Sequence, residues 1–113
     1  MLGTNDLLQG ATAAQAGERM RLFLRTLDHR KLLLLAPPPM APGEWVSGEG
    51  LILESRTLCH LYRSLTGELS IPYLDPAAWD IPMAYDGVHF TQEGHRRFAR
   101  NLAQALKQSE LRT

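Results

Sequence analysis

The fold is decided by the stretch KLLLLAPPP, which occupies positions 31–39. Positions 31–36 form a short apolar run that does not alternate with polar residues, so we expect a strand with both faces buried. Such strands are typical of parallel sheets that helices cover on either side. The run ends at Pro37, because proline lacks the backbone N–H group that a strand ladder needs. The stretch therefore predicts one buried strand of an α/β protein.

Helices and a second strand are predicted on either side of this stretch. Apolar residues at helical spacing predict helices over 12–29 and 51–65, the second one ending at Gly67. A strand is predicted over 70–74, and a last helix begins after Thr91, which can cap it. The predicted apolar faces of the three helices are Met20, Phe23, Leu24 and Leu27; Leu51, Leu58, Leu61, Tyr62 and Leu65; and Phe98, Leu102, Ala105 and Leu106.

The alternation of strands and helices predicts an α/β fold with a parallel sheet. Two strands are too few for a sheet that three helices cover on both faces. We therefore expect that strands are missing on the N-terminal side, either because the chain is a fragment or because another chain supplies them. The alternative is a small helical domain with two buried leucine-rich segments.

Length and composition predict one small domain without a strong overall electrostatic field. The chain has 113 residues, and its 12 Lys and Arg balance its 12 Asp and Glu. A net charge of zero does not favour nucleic acid or an anionic membrane as a partner. Cys59 is the single cysteine and cannot form an internal disulfide.

Targeting and cofactor signals are also missing from the sequence. No apolar run is long enough to span a bilayer, and no signal peptide pattern begins the chain. We therefore expect a cytoplasmic protein, unless a targeting segment has been lost from its front. No spacing of His, Cys or carboxylates suggests a metal site, and no glycine-rich nucleotide loop is present, so no cofactor is expected.

Two short motifs contain the candidate catalytic residues. One follows the predicted strand over 70–74, and the other follows residues 1–2, which we interpret as the end of a strand; α/β folds place function just after strands. In the motif DGVH at 86–89, the carboxylate of Asp86 can accept a hydrogen bond from one ring nitrogen of His89. The other nitrogen is then free to act as a general base. The alternative is that Asp86 only shapes a turn and His89 packs at the start of a helix.

The second motif is GTND at 3–6, which we expect to form a turn. The side-chain amide of Asn5 can donate to a developing oxyanion, and losing such a donor typically costs about 10²–10³ in rate. The alternative is that asparagine is there because it tolerates left-handed backbone angles.

With GTND near the start of the chain and DGVH near its end, the two motifs resemble those of the SGNH (GDSL-like) hydrolase family. MLGTND at 1–6 resembles the family's third sequence block, and DGVHFT at 86–91, followed by Gly94, resembles its fifth. LAPPP at 35–39 resembles the strand and proline-rich turn of several members. The sequences of these motifs are most similar to those of bacterial arylesterase and acyltransferase-like members.

The resemblance implies a fold and a set of roles. The fold is a partial flavodoxin-like, three-layer α/β/α arrangement with a parallel sheet that lacks its N-terminal strands, and residues 1–113 are the C-terminal portion of one domain. Asn5 is implied as an oxyanion donor, Asp86 as the triad acid and His89 as the base, acting on a small ester. Asp6 is interpreted as structural. Three large side chains either line an acyl or alcohol pocket or anchor loops: Trp45, Trp79 and Met83.

The family's first block, with the nucleophilic serine, and its second block, with an oxyanion glycine, have no counterpart. The serines of this chain stand in other settings; they are Ser47, Ser55, Ser64, Ser70 and Ser109. A base without a nucleophile cannot perform acyl transfer, so the chain alone is expected to be inactive. Three hypotheses stay open: a fragment of an esterase, a non-catalytic remnant or binding module, and a chain complemented by another that supplies the serine. Homo-oligomer formation is a further expectation that stays open.

Overall fold

The computed structural model describes residues 1–27 and 30–111, with the side chains of 109–111 outside the description. The elements in chain order are α1 (Thr4–Leu8), α2 (Ala13–Thr26), β1 (Leu34–Leu35), α3 (Gly50–Leu69), β2 (Tyr73–Leu74), a 3₁₀ turn (Pro76–Trp79) and α4 (Gln92–Leu111). The last two residues of the predicted helix over 12–29 lie outside the described residues. Among those described, α2 ends at Thr26.

The two strands pair in parallel, with Leu34 opposite Tyr73 and Leu35 opposite Leu74. Helix α3 connects them, so the chain has the strand–helix–strand unit that the alternation predicted. Both residues of β1 are buried, as expected for a strand covered on two faces. The predicted α/β fold with a parallel sheet is confirmed.

Each strand is shorter than the sequence predicted, and Pro72 explains why β1 starts late. The backbone N–H of Leu34 donates to the carbonyl of Pro72 at 3.0 Å. The next ladder bond would need a backbone N–H at position 72, which proline does not have. Residues 31–33 are therefore left outside the ladder, and β1 begins only at Leu34.

The turn predicted at 3–6 is wrong, because residues Thr4–Leu8 form helix α1. The N–H of Leu7 donates to the carbonyl of Gly3 at 3.3 Å, and that of Gln9 donates to Asn5 at 3.0 Å. Leu7 is almost fully buried in the core. Burial of this side chain stabilises a helical turn that the polar residues before it did not indicate.

Gly67 does not end α3, contrary to the prediction. The helix continues to Leu69, whose side chain packs against the core, and it ends at Ser70 in a left-handed conformation with φ of 57°. Apolar contact by Leu69 outweighs the cost of a glycine inside a helix, which is about 0.5–1 kcal/mol. The helix also begins one residue before the predicted start.

The core lies mainly between α2 and α3. On α2 the buried face holds Ala13, Ala16, Met20 and Leu24, whereas Phe23, predicted on that face, is 48% exposed. On α3 the fully buried members of the predicted face are Leu58, Tyr62 and Leu65. A capping box at Thr12 starts α2, since its hydroxyl accepts from the N–H of Gln15 and the Gln15 side chain accepts in return.

Helix α4 is attached at one end of the molecule. Phe98 meets the ring of Trp79 at 5.4 Å and the ring of Phe90 at 5.4 Å, and the guanidinium of Arg97 donates to the carbonyl of Asp80 at 2.6 Å. Further along the helix, Leu106 is 43% exposed. The apolar stripe predicted on this helix is thus only partly covered within the described chain.

Candidate active site

The turn between β2 and α4 places a carboxylate and an imidazole in direct contact. The Nδ1 atom of His89 lies 2.6 Å from Oδ2 of Asp86. The Asp86 side chain is almost fully buried, whereas the His89 side chain is 63% exposed. Among the described residues, no group hydrogen-bonds to Nε2 of His89. The geometry fixes one ring nitrogen and leaves the other accessible.

The other oxygen of Asp86 organises the turn itself. Oδ1 accepts from the backbone N–H groups of Val88 at 2.8 Å and of His89 at 2.9 Å. These two backbone donors, together with the imidazole, lower the pKa of Asp86 to about 2, although burial acts in the opposite direction. Asp86 is therefore ionised at neutral pH and can stabilise an imidazolium beside it.

A second loop, over residues 41–46, lies directly against this turn. A Cβ atom added to Gly43 would collide with the backbone of Asp86 and Gly87, so the two main chains touch where no side chain intervenes. Gly87 itself has a φ of 81°, a conformation that glycine adopts without strain. The N–H of Ala41 donates to the carbonyl of Gly87 at 2.9 Å. Sequence reasoning missed this close approach, because the two glycines are far apart in the chain.

Trp45 brings an aromatic ring to the imidazole. Its ring centroid lies 5.2 Å from that of His89, and the two planes meet at 78° in an edge-on arrangement. Its backbone N–H donates to the carbonyl of Asp86 at 3.1 Å. The sequence left open whether Trp45 lines a pocket or anchors a loop, and the structure places it at the candidate base.

Thr91 starts α4, as the sequence predicted. Its hydroxyl accepts from the N–H of Gly94 at 3.0 Å, and its own N–H donates to the carbonyl of Pro82 at 3.1 Å. The N–H of Ala84 donates to the carbonyl of His89 at 2.7 Å. These bonds close the turn from both sides, so the imidazole stands on a segment with a fixed backbone.

Asn5 lies in the first turn of α1, at a distance in sequence from the pair. Its side chain is exposed in a recess of about 320 Å³ that residues 1–6 share with Pro37. Pro37 lies two residues after the end of β1, so the recess is close to the carboxyl end of that strand. The described hydrogen bonds join Asp86 to His89 but link Asn5 to neither of them.

The remaining predicted side chains have structural contacts. Asp6 accepts from the guanidinium of Arg19 at 3.3 Å, which ties α1 to α2. Trp79 packs edge-on against Phe98 and therefore anchors the 3₁₀ turn to α4. Met83 pairs with Phe90 through the backbone and lines a cavity of about 720 Å³ between α3, the 3₁₀ turn and α4. Asp86 and His89 do not line this cavity, although it is the largest one described.

The described serine side chains do not meet His89. Ser55 is buried and occupied, since its hydroxyl accepts from the N–H of Met40 and donates to the carbonyl of Ile52. Ser47, Ser64 and Ser70 are exposed. Within the described part of the chain, no serine hydroxyl is hydrogen-bonded to the imidazole.

Residues 1–27 and 30–111 show neither a metal-binding cluster nor a membrane-spanning helix. In this part of the chain, no three His, Cys, Asp or Glu side chains gather in a way that could hold a metal ion. The helices described there are too short or too polar to cross a membrane.

A carboxylate paired with an imidazole after a strand of a parallel α/β scaffold is the arrangement found in hydrolases that use an acid–histidine pair. The family model of the GDSL-like lipase/acylhydrolase family matches residues 1–97. The chain belongs to this family. No protein with a curated description matches it.

Solved structures of similar fold agree with this family. A protein described as an arylesterase from Agrobacterium tumefaciens is 30% identical, with a TM-score of 0.82. The aryl esterase of M. smegmatis and a carbohydrate acetylesterase family member from Sinorhizobium meliloti are each 24% identical, with TM-scores of 0.80 and 0.81. Each similarity covers 96% of this chain and 58% of the other. The prediction of a partial flavodoxin-like fold of the SGNH type is confirmed.

Proposed function

We propose that residues 1–113 are the C-terminal portion of a single SGNH hydrolase domain and carry the acid–base half of a serine esterase. The contact of 2.6 Å between Asp86 and Nδ1 of His89 is the observation that carries the proposal. It sets the tautomer in which Nδ1 carries the proton and Nε2 has a free lone pair. The ionised state of Asp86 at neutral pH adds stabilisation for the imidazolium that forms during turnover.

The reaction has two steps, and its nucleophile comes from outside this chain. A serine hydroxyl attacks the ester carbonyl while Nε2 of His89 takes the hydroxyl proton. The amide of Asn5 donates to the oxyanion, together with backbone N–H groups of the missing blocks. The imidazolium then gives its proton to the leaving alcohol, and water, activated by His89, releases the acid from the serine.

The serine belongs either to additional sequence of the same polypeptide or to a complementing chain. Since none of the described serines meets His89, the chain alone is proposed to be inactive. A cytoplasmic location and assembly with a further copy of the chain stay predictions.

The proposed substrates are small esters with short acyl groups, and aryl esters in particular. The support is the arylesterase description of the Agrobacterium protein, at 30% identity. Nucleic acid is not proposed as a partner, because the chain has a net charge of zero.

A chimera tests the proposal. The part of the Agrobacterium protein that lies outside the matched 58% is fused ahead of Met1. We expect the chimera to hydrolyse p-nitrophenyl acetate and to react covalently with a fluorophosphonate probe, while the 113-residue chain does neither.

Asn5→Ala should lower kcat of the chimera about 10²–10³-fold. Asp86→Asn should lower it by about 10⁴, the effect of the same change in a serine protease triad.

His89→Ala and His95→Ala are a matched pair for the base. His89 contacts Asp86. His95 instead lies on α4, and its ring is 5.2 Å from that of Phe90. His89→Ala should abolish hydrolysis by the chimera, and His95→Ala should leave it within about twofold of the parent. A folded chimera that keeps its activity after His89→Ala would refute the proposal.

A second candidate is a non-catalytic remnant or binding module on the same scaffold. The observation in its favour is that no described serine hydroxyl is hydrogen-bonded to His89, while that of Ser55 is engaged in the core. It predicts that the chimera folds but stays inactive. It also predicts no fluorophosphonate labelling when the chain is mixed with the unmatched part of the Agrobacterium protein as a separate chain, whereas complementation predicts labelling of that part only in the mixture.

A further inference from the structure

The imidazole of His89 is largely exposed, although a general base must keep one orientation. Its side chain is 63% exposed, so packing on its own does not restrict the ring. Asp86 holds Nδ1, but a single hydrogen bond at the rim of a protein competes with water. Another contact is needed to keep the ring in one rotamer.

Trp45 is the aromatic side chain that supplies such a contact. Its ring meets the imidazole edge-on, with centroids 5.2 Å apart and planes at 78°, which is a preferred geometry for aromatic pairs. Trp45 is itself 52% exposed, so it does not fill the core. Its position is decided by the backbone instead.

The backbone around Trp45 is fixed to the turn that carries the imidazole. The N–H of Trp45 donates to the carbonyl of Asp86 at 3.1 Å, and the N–H of Glu44 donates to the carbonyl of Tyr85 at 2.9 Å. Gly43 lies against the backbone of Asp86 and Gly87 with no room for a side chain. The loop that carries the indole and the turn that carries the imidazole are therefore held together by their backbones and cannot shift independently.

We propose that Trp45 is a positioning residue that holds His89 in the rotamer in which Nδ1 meets Asp86 and Nε2 points outward. The role of that rotamer in acyl transfer rests on the proposed function, but the positioning itself does not. Loss of an aromatic pair of this geometry changes the balance between rotamers by about two- to tenfold.

NMR of the full 113-residue chain tests the proposal without any turnover. Long-range proton–nitrogen spectra report which ring nitrogen of His89 carries the proton, and three-bond couplings report its χ1 populations. The spectra are recorded near pH 9, where ordinary imidazoles are neutral. His89→Ala identifies the signals, and the histidine at position 60, exposed on α3, serves as an internal reference.

In the wild-type chain we expect contacts between the ring protons of His89 and Trp45, one dominant χ1 rotamer and the proton on Nδ1. Trp45→Ala should lower the population of that rotamer, relative to the others, by about two- to tenfold. Trp45→Phe should recover most of the loss, because phenylalanine keeps an aromatic edge. Trp79→Phe is the matched control, since Trp79 contacts Phe98 and not the imidazole, and it should leave His89 unchanged.

Three outcomes would overturn the proposal. One is the absence of contacts between Trp45 and His89 in the wild-type spectrum, which needs no variant to fold. The second is an unchanged rotamer balance in a folded Trp45→Ala chain. The third is an equal effect of Trp79→Phe. An inactive chimera with intact positioning would instead count against the esterase function alone.

Discussion

Asp86 combines three acceptor contacts in a segment of four residues. One oxygen binds two backbone N–H groups, and the other binds the imidazole. The same carboxylate therefore shapes the turn and also contacts the imidazole of His89, so the predicted Asp86–His89 contact is present together with the turn. Local spacing was sufficient to predict this pair, because every contact lies within three residues.

Replacing Asp86 by asparagine should change how the stability of the chain depends on pH. The folded-state pKa is about 2 and the ordinary value is about 3.9, so the carboxylate stabilises the fold above about pH 4. This contribution is lost as the pH falls from about 4 to 2, when Asp86 is protonated in the folded state. We expect the urea midpoint of the wild type to exceed that of Asp86→Asn at pH 6 and to approach it near pH 2.

Other carboxyl groups titrate in both proteins and cancel in this difference. A gap between the two midpoints that stays constant from pH 6 to pH 2 would contradict the assigned pKa of Asp86.

The contacts of Trp45 and Gly43 were beyond prediction from sequence. Both residues lie about forty positions before the turn that they touch, and no periodicity links the two loops. The side chain of Trp45 could be named as a candidate, but its partner could not. Asn5 was named from its motif, yet its helical backbone was missed because the burial of Leu7 decided the local structure.

At the level of the elements, helices were predicted better than strands. The helical stripes of α3 and the cap at Thr91 follow from local spacing and were found. The strand lengths depend on which backbone groups meet across the sheet, and here Pro72 decides them. Helix ends depend on tertiary contacts as well, as Leu69 shows for α3.

Gly67→Ala gives a test at this level. A Cβ atom at this position would meet nothing within 4 Å, and the residue lies inside α3 with an ordinary helical backbone. Alanine should therefore stabilise the chain by about 0.5–1 kcal/mol in urea unfolding. Gly87→Ala is the contrasting variant and should destabilise it, because Gly87 has a φ of 81° and lies against Ala41. Destabilisation by Gly67→Ala would indicate that α3 ends at Gly67, as the sequence predicted.

The whole molecule is flat, with extents of 42 × 30 × 17 Å. Helices α2 and α3 form one well-packed part, while α4 is attached through Phe98 and Arg97 near its start. The arrangement agrees with a chain that spans 58% of its solved relatives.

Phe98→Ala should loosen α4 and leave the rest of the molecule intact. It removes two aromatic contacts, with Trp79 and Phe90, which are together worth about 1–3 kcal/mol. Hydrogen exchange should show a loss of protection of this size in α4 and little change in α2 and α3. Phe23→Ala, at a residue 48% exposed on α2, should change stability by less than about 0.5 kcal/mol. Equal loss of protection in all three helices would contradict a separately attached α4.

The compactness of the Asp86–His89 pair has a consequence for how hydrolases are recognised. All of its atoms come from one four-residue segment, so its geometry does not depend on whether a nucleophile is supplied. A survey that ranks structures by the spacing of acid and imidazole would score this chain as highly as an intact enzyme. Such surveys should start from the serine, which is the member of the triad that a local turn cannot preserve.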